Sequence, residues 1–356
     1  MNDVGKYHQV LTAAVMMLVA IGMLWCGATD AMAQTDTHKK HGEKIKAVAD
    51  SVNRILTTRY YRTPYDTNYV VRPVGQLTLK LRANLSGDDL YAKGNIYGVR
   101  SRAELHTKYK TTLSLGASYR GISLAFSINP AKMSGSYSDY EFNFTYYSSR
   151  FSVDASYHRS ATLSGDIKHG DQMERLEPND VNLKVANLAG YYVFNHRRFS
   201  YPAAFTQSYL QRRSAGSWLL GLSYQGGTIE SREELKERDP DAPDFRIKIG
   251  RLGVGGGYGY NLVLGKNKQW LLHASMTPTI VIYNHNELTM NGVLKQAEHV
   301  RFNMIFNERA AIVWNFSPRY FACVTFHMNS SIFDDNILVV NQDKWRLRGA
   351  IGVRLF

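Results

Sequence analysis

Ser152, Ser156 and His158 stand at even spacing within one stretch of the chain. On an extended strand, residues two apart point to the same face. A hydroxyl and an imidazole on one face are the parts of a nucleophile and its base. They do that chemistry only if the hydroxyl reaches the ring and a third group orients it. Same-face neighbours on a strand stand about 7 Å apart, too far for a hydrogen bond. Serines and histidines scattered on a polar face arise by chance, so no catalytic residue is expected. His169 and Asp171, near Asp166, lack metal-ligand spacing, so no metal and no cofactor is expected either.

The other candidates are ionic. Lys80, Arg82, Arg346 and Arg348 are basic, Glu141 and Asp154 are acidic, and His158, His273 and His327 are polar rings. All nine lie on the polar faces of alternating stretches. Leu77, Leu79 and Leu81 alternate with Thr78, Lys80 and Arg82. Tyr140, Phe142, Phe144 and Tyr146 alternate with Glu141, Asn143 and Thr145. Tyr320, Ala322, Val324, Phe326 and Met328 alternate with Cys323, Thr325, His327 and Asn329. Each is a strand with one apolar and one polar face.

A soluble β-sandwich alternates as well, so the connections decide. Short turns fall at Arg120-Gly121, Ser148–Arg150, Asn195–Arg198, Gly265–Lys268 and Ser317–Arg319. Longer polar loops fall between them, around 86–101, 129–138, 164–180, 230–244, 284–298 and 333–343. Strict alternation of short and long connections predicts an all-β fold, a transmembrane antiparallel up-and-down β-barrel of about twelve strands. Phe151, Phe199, Trp270 and Tyr320 follow short turns and are expected in the periplasmic aromatic girdle. The nine ionic and polar residues then line the lumen. Because the last strand meets the first in a barrel, Arg346 and Arg348 are expected beside Lys80 and Arg82 as a basic wall. Glu141 and Asp154 form a smaller acidic patch opposite it. Glu104 and Asp343 are the nearest counter-charges in sequence.

Composition agrees with this architecture. The 356 residues carry 43 Lys and Arg against 30 Asp and Glu, a formal charge of +13. Mean hydropathy is −0.32, which excludes a multi-helix membrane protein but not a barrel. The basic residues are spread over strands and loops instead of clustered, which argues against nucleic acid. Basic loop residues are expected to meet lipopolysaccharide.

At the N-terminus, Lys6, the apolar run from Val10 to Trp25 and Ala31-Met32-Ala33 are the three parts of a secretory signal peptide over 1–33. Residues 34–72 hold one amphipathic helix, from His41 to Thr58, and an aromatic linker; they are expected in the periplasm or as a plug. The barrel is expected over 73–356. Cys26 leaves with the signal, so Cys323 has no disulfide partner in the mature chain.

Three places break the pattern. The stretch 198–229 is too long for one strand and loses alternation from Gln207 to Gly216, so one interrupted strand is expected there. Glu308 falls on an apolar face, between Phe306 and Ala310, and a bulge beside Asn307 is expected to turn it inward. The last strand ends in Phe356 and resembles the signal read by the barrel-assembly machinery, with its apolar face offset by one. A bulge near Gly349 or Gly352 is expected to repair the offset.

The runs QLTLKLRANLSGDD from Gln76, LGASYRGISLAFSINP from Leu115 and YYVFNHRRFSYPAAFTQSYLQRRSAGSWLLG from Tyr191 resemble a family of exported proteins, domain of unknown function 4421. The resemblance covers most of Gln76 to Phe356. It implies an outer-membrane barrel and carries over no catalytic residue. The expected function is therefore non-enzymatic: a narrow channel for a small anionic solute, or a filled structural barrel, with a basic lumen wall. The alternatives are a lipid-modifying enzyme and a transporter of hydrophobic or anionic small molecules. Outer-membrane lipid is the expected surrounding.

Overall fold

The computed structural model describes residues 63–96, 99–119, 122–128, 139–240, 242, 244–296, 303–334 and 338–355. The signal peptide, the helix expected over His41–Thr58 and Phe356 lie outside the described residues. In chain order the strands begin with β1 Val70–Val71, β2 Leu77–Ile96, β3 Val99–His106, β4 Lys110–Tyr119, β5 Ile122–Ile128 and β6 Tyr140–Tyr147. Next come β7 Phe151–Ser160, β8 Ser164–His169, β9 Gln172–Leu176, β10 Val181–Val193, β11 Leu210–Gln211 and β12 Ala215–Ser231. The last are β13 Phe245–Leu264, β14 Trp270–Met290, β15 Val293–Gln296, β16 Met304–Trp314, β17 Tyr320–Asp334 and β18 Leu338–Leu355. Two short helices, α1 Tyr201–Phe205 and α2 Glu233–Arg238, sit in connections.

Twelve strands form one curled antiparallel wall, in the order β5-β4-β2-β18-β17-β16-β14-β13-β12-β10-β7-β6. The first and last long strands pair along their whole length, Leu77 opposite Leu355 and Gly94 opposite Leu338. No ladder joins β5 to β6 among the described residues. At the loop end, Lys110 pairs with Asp139 at 3.4 Å across this seam, and the Lys108 amide donates to Thr162 Oγ1 at 3.2 Å. Beyond the membrane wall, β3 pairs with β2 and β8 pairs with β3. The stretches 86–101 and 164–180, expected as loops, are thus strand extensions. Ser86 and Asp88 turn into the lumen, and the outer part of these strands carries polar pairs such as Arg102–Glu104 on a rim where alternation of apolar residues has no reason to appear.

The apolar positions point outward, as alternation predicts. Leu81, Leu115, Phe142, Phe144, Leu222, Ile312 and Ile351 are all exposed on the convex side. At the turn end an aromatic row packs edge to edge and face to face. Trp270 stacks on Trp314 at 5.1 Å, Phe316 stacks on Tyr320 at 6.2 Å, and Phe151 meets Tyr192 at 5.3 Å. Phe199 does not belong to it. Phe194, 57% exposed, takes that place, while Phe199 is 0% exposed inside the curl.

Neither expected bulge is present. The β14–β16 and β16–β17 registers run unbroken, with Glu308 opposite Met276 and Met328. Its carboxylate stays on the lipid face while Arg309 points inward. The β18 registers with β17 and β2 are also unbroken. Gly352 instead makes room for a ring: a Cβ there would lie 2.2 Å from Phe321, which is fully buried.

Candidate functional site

The concave side has two zones, and a short segment of sequence makes the first. Residues 194–214 connect β10 to β12 at the turn end, where the sequence suggested one interrupted strand; β12 begins only at Ala215. Within this connection Ser200 caps α1 by accepting from the Ala203 amide at 3.2 Å, and Pro202 suits the first turn. Gln207 then takes φ 53°, and its side chain donates to Ala204 O at 2.9 Å, closing the helix after one turn and a half. All five α1 residues are buried. The apolar side chains Phe199, Tyr201 and Phe205 enter the lumen and pack on Leu271, Ala311, Val313, Phe321 and Ala350 of the wall.

The linker joins this plug. β1 pairs with β11, the Asp66 amide donates to Arg197 O at 2.8 Å, and Ser200 Oγ donates to the Tyr65 hydroxyl at 3.1 Å. Burial pushes the Tyr65 phenol up. Tyr201 is also raised by burial. Asn261 locks the plug to the wall: its amide donates to Ser200 O and Gln211 Oε1, both at 3.0 Å. Its Oδ1 therefore faces His273 Nδ1, at 2.7 Å, and assigns the ring proton to that nitrogen. His273 Nε2 lies 3.0 Å from Ser275 Oγ. The ring is covered by Tyr201 at 5.2 Å and Phe205 at 5.0 Å.

The basic wall rises beside the plug as a staggered column, not a patch. Register places Lys80 opposite Gly352, Arg82 opposite Ala350, Arg348 opposite Asn84 and Arg346 opposite Ser86, with Arg354 below them opposite Thr78. Among the described residues the lumen carboxylates pair elsewhere, and none reaches these five cations. Neutral acceptors serve them instead. Lys80 Nζ donates to Thr206 O and, at 3.3 Å, to Gln207 Oε1 of the plug. Arg348 Nε donates to Asn84 Oδ1 at 2.6 Å. Arg346 Nε is buried without a partner.

The second zone, toward the loop end, is ionic and paired. Asp88 takes Lys344 at 2.8 Å and His158 at 3.1 Å. Glu141 accepts from Ser86 at 2.9 Å and lies 3.9 Å from Lys344. At mid-height Arg309 pairs with Asp154 across the lumen, under the Tyr147 hydroxyl at 3.3 Å. The expected acidic patch is thus split: Glu141 and Asp154 serve different cations. Glu104 pairs with Arg102 on the rim and Asp343 accepts from Ser330, so neither faces the wall. His327 packs against Phe205 at 5.0 Å. His158 binds Asp88 rather than Ser152 or Ser156. The residues that sequence reasoning missed are Asp88, Arg309, Lys344 and Arg354, whose roles depend on which strands stand opposite. A space of about 80 Å³ remains between Glu141, Asp154, Arg309, His327 and Arg346.

A curled antiparallel wall with an apolar outer face, an aromatic row at one end and a polar inside defines a membrane β-barrel protein. The model of the domain of unknown function 4421 family matches residues 64–355, and the chain belongs to that family. No curated relative matches it. Among solved structures it is similar to the outer membrane protease OmpT from Escherichia coli, at 7% identity and TM-score 0.39, over 83% of this chain and all of that one. It is also similar to OprG from Pseudomonas aeruginosa, at 13% identity and TM-score 0.28, over 81% and 98% of the chains. A third is the toluene transporter TodX from P. putida, at 8% identity and TM-score 0.26, over 80% and 91%. At these identities no activity or ligand passes from one protein to another.

Proposed function

We propose that the protein is an outer-membrane barrel whose lumen is filled, and that it works as a structural or ligand-holding barrel without catalysis. The observation that carries this reading is direct bonding between strands five steps apart in the wall. Arg309 on β16 pairs with Asp154 on β7, and Gln225 on β12 donates to Gln342 on β18 at 3.4 Å. An open pore needs water where these side chains meet. The buried plug supports the same reading. Planar-bilayer recording tests it: a folded sample stays silent, and steady conductance overturns it.

A second reading has one observation in its favour. Asn261, His273 and Ser275 form the hydrogen-bond chain of a nucleophile, a base and its orienting group. The aromatic cover over His273 favours a latch for the plug instead. Labelling of Ser275 by a fluorophosphonate, lost in Ser275→Ala, would establish hydrolysis and sink the non-catalytic reading.

A further inference from the structure

At the turn end, outside the plug, lies a cavity of about 840 Å³. The β1–β11 ribbon, the β13–β14 and β16–β17 turns and the end of β18 surround it. Among the described residues its lining includes Arg72, Arg212, Lys266, Lys268 and Arg354, and no carboxylate. A pocket of this size holds a small organic ligand.

Arg354 makes this more than a basic surface. It is 1% exposed. Its guanidinium donates to Asn315 Oδ1 at 2.8 Å and Pro318 O at 3.3 Å, and it lies 4.5 Å from the centroid of Phe321. Its Nε is buried and has no partner. Among the described residues this buried cation meets only neutral acceptors, which suits a counter-anion. The Arg72 guanidinium, stacked 4.4 Å from the Tyr209 ring centroid, also lines the cavity. Lys266 and Lys268 stand on a turn exposed to solvent, and left-handed backbone at Gly265 and Lys268, φ 90° and 55°, shapes it.

The cation count selects the ligand. A phosphomonoester offers up to two charges and a phosphodiester headgroup one, and either spreads its acceptor oxygens over a wider set of donors than a planar carboxylate does. Trp314 and Phe316 also line the cavity, and Trp314 belongs to the outward aromatic row. The cavity therefore lies level with the membrane interface.

We propose that this cavity binds a phosphoryl anion, carried by a soluble phosphorylated molecule or by the headgroup of an adjoining phospholipid. The inference does not depend on the lumen being filled.

The test uses the purified full chain, titrated with inorganic phosphate in detergent and placed in nanodiscs of phosphatidylglycerol or phosphatidylcholine. Tryptophan fluorescence and native mass spectrometry read binding. Saturable phosphate binding identifies a soluble source. Retention of phosphatidylglycerol without phosphate binding identifies a headgroup, and both outcomes support the site. The double variant Arg212→Gln, Lys268→Gln should weaken binding by about tenfold or more, with heat-modifiable migration on gels unchanged. Arg354→Gln should abolish it, and because that variant touches the last strand, the exposed pair decides the matter. Absence of saturable binding to either probe, or equal binding by the double variant, overturns the proposal.

Discussion

The plugged half of the lumen and the ionic half solve one problem differently. Both must bury cations inside a sheet whose outer face meets hydrocarbon. Toward the loops the lumen carboxylates are paired: Asp88 with Lys344 beside it on β18 and with His158 across the lumen, and half-buried Asp154 with Arg309 across it. At the turn end the column from Arg346 down to Arg354 has no acidic partner among the described residues. A backbone carbonyl at Thr206, the amides of Gln207 and Asn84 and the ring of Phe321 stand in. Opposite charge fixes strands across a lumen by itself. A like-charged column needs something inserted against it, and the plug is that insertion.

The comparison breaks most completely if the plug is removed. Replacing residues 199–213 with a short glycine-serine turn, together with Arg309→Ala, Asp154→Ala and Gln225→Ala to cut the cross-lumen bonds, should convert silence into steady, anion-preferring conductance in planar bilayers, because Lys80 and Arg82 then face water. In that background, Arg82→Gln with Arg348→Gln should reduce anion preference while the barrel still assembles.

A mutation in the ionic half should act on stability instead. Arg309→Met leaves half-buried Asp154 with only the Tyr147 hydroxyl as partner, which should cost about 1–3 kcal/mol. Adding Asp154→Asn should recover much of that loss in urea unfolding followed by gel shift.

Equal or smaller effects sharpen the contrast. Gly352→Ala drives a methyl into Phe321 and should cost about 1–3 kcal/mol by the same assay. Glu308→Leu removes a lipid-facing carboxylate and should stabilise by about 1–2 kcal/mol in bilayers, with conductance unchanged. A loss of stability there would mean that the carboxylate has a partner in the membrane.

Strand phase was legible because alternation is local. Leu79 and Leu81 point outward and Lys80 inward, as their neighbours dictate. The plug was half legible. Failed alternation over Gln207–Gly216 marked the place, but whether a connection folds inward depends on the lumen it meets. Phe199 looked like a girdle residue because an aromatic after a turn reads alike on either side of the wall. Partners across the lumen were not legible, since they depend on curvature and on the register of distant strands. His273 and Ser275 are two apart and visible in sequence. Asn261 reaches them only because β13 and β14 set it opposite His273. Glu308 falls in phase with Phe306 and Ile312, and the alternation holds; the expected bulge rests only on the cost of a carboxylate facing lipid, and the unbroken registers do without it.

The basic column also bears on how the chain folds. Lys80 and Arg82 come from its first long strand, and Arg346, Arg348 and Arg354 from its last. The β2–β18 ladder is the pairing of greatest sequence separation in the wall, so its loop-closure entropy is the largest. It also draws like charges together as it forms. Closure thus works against both chain entropy and repulsion, and the 18 residues of β18 supply the pairing that overcomes them. Like charges on the two strands therefore slow the pairing of the first long strand with the last, and an anion present at that moment would act as a template.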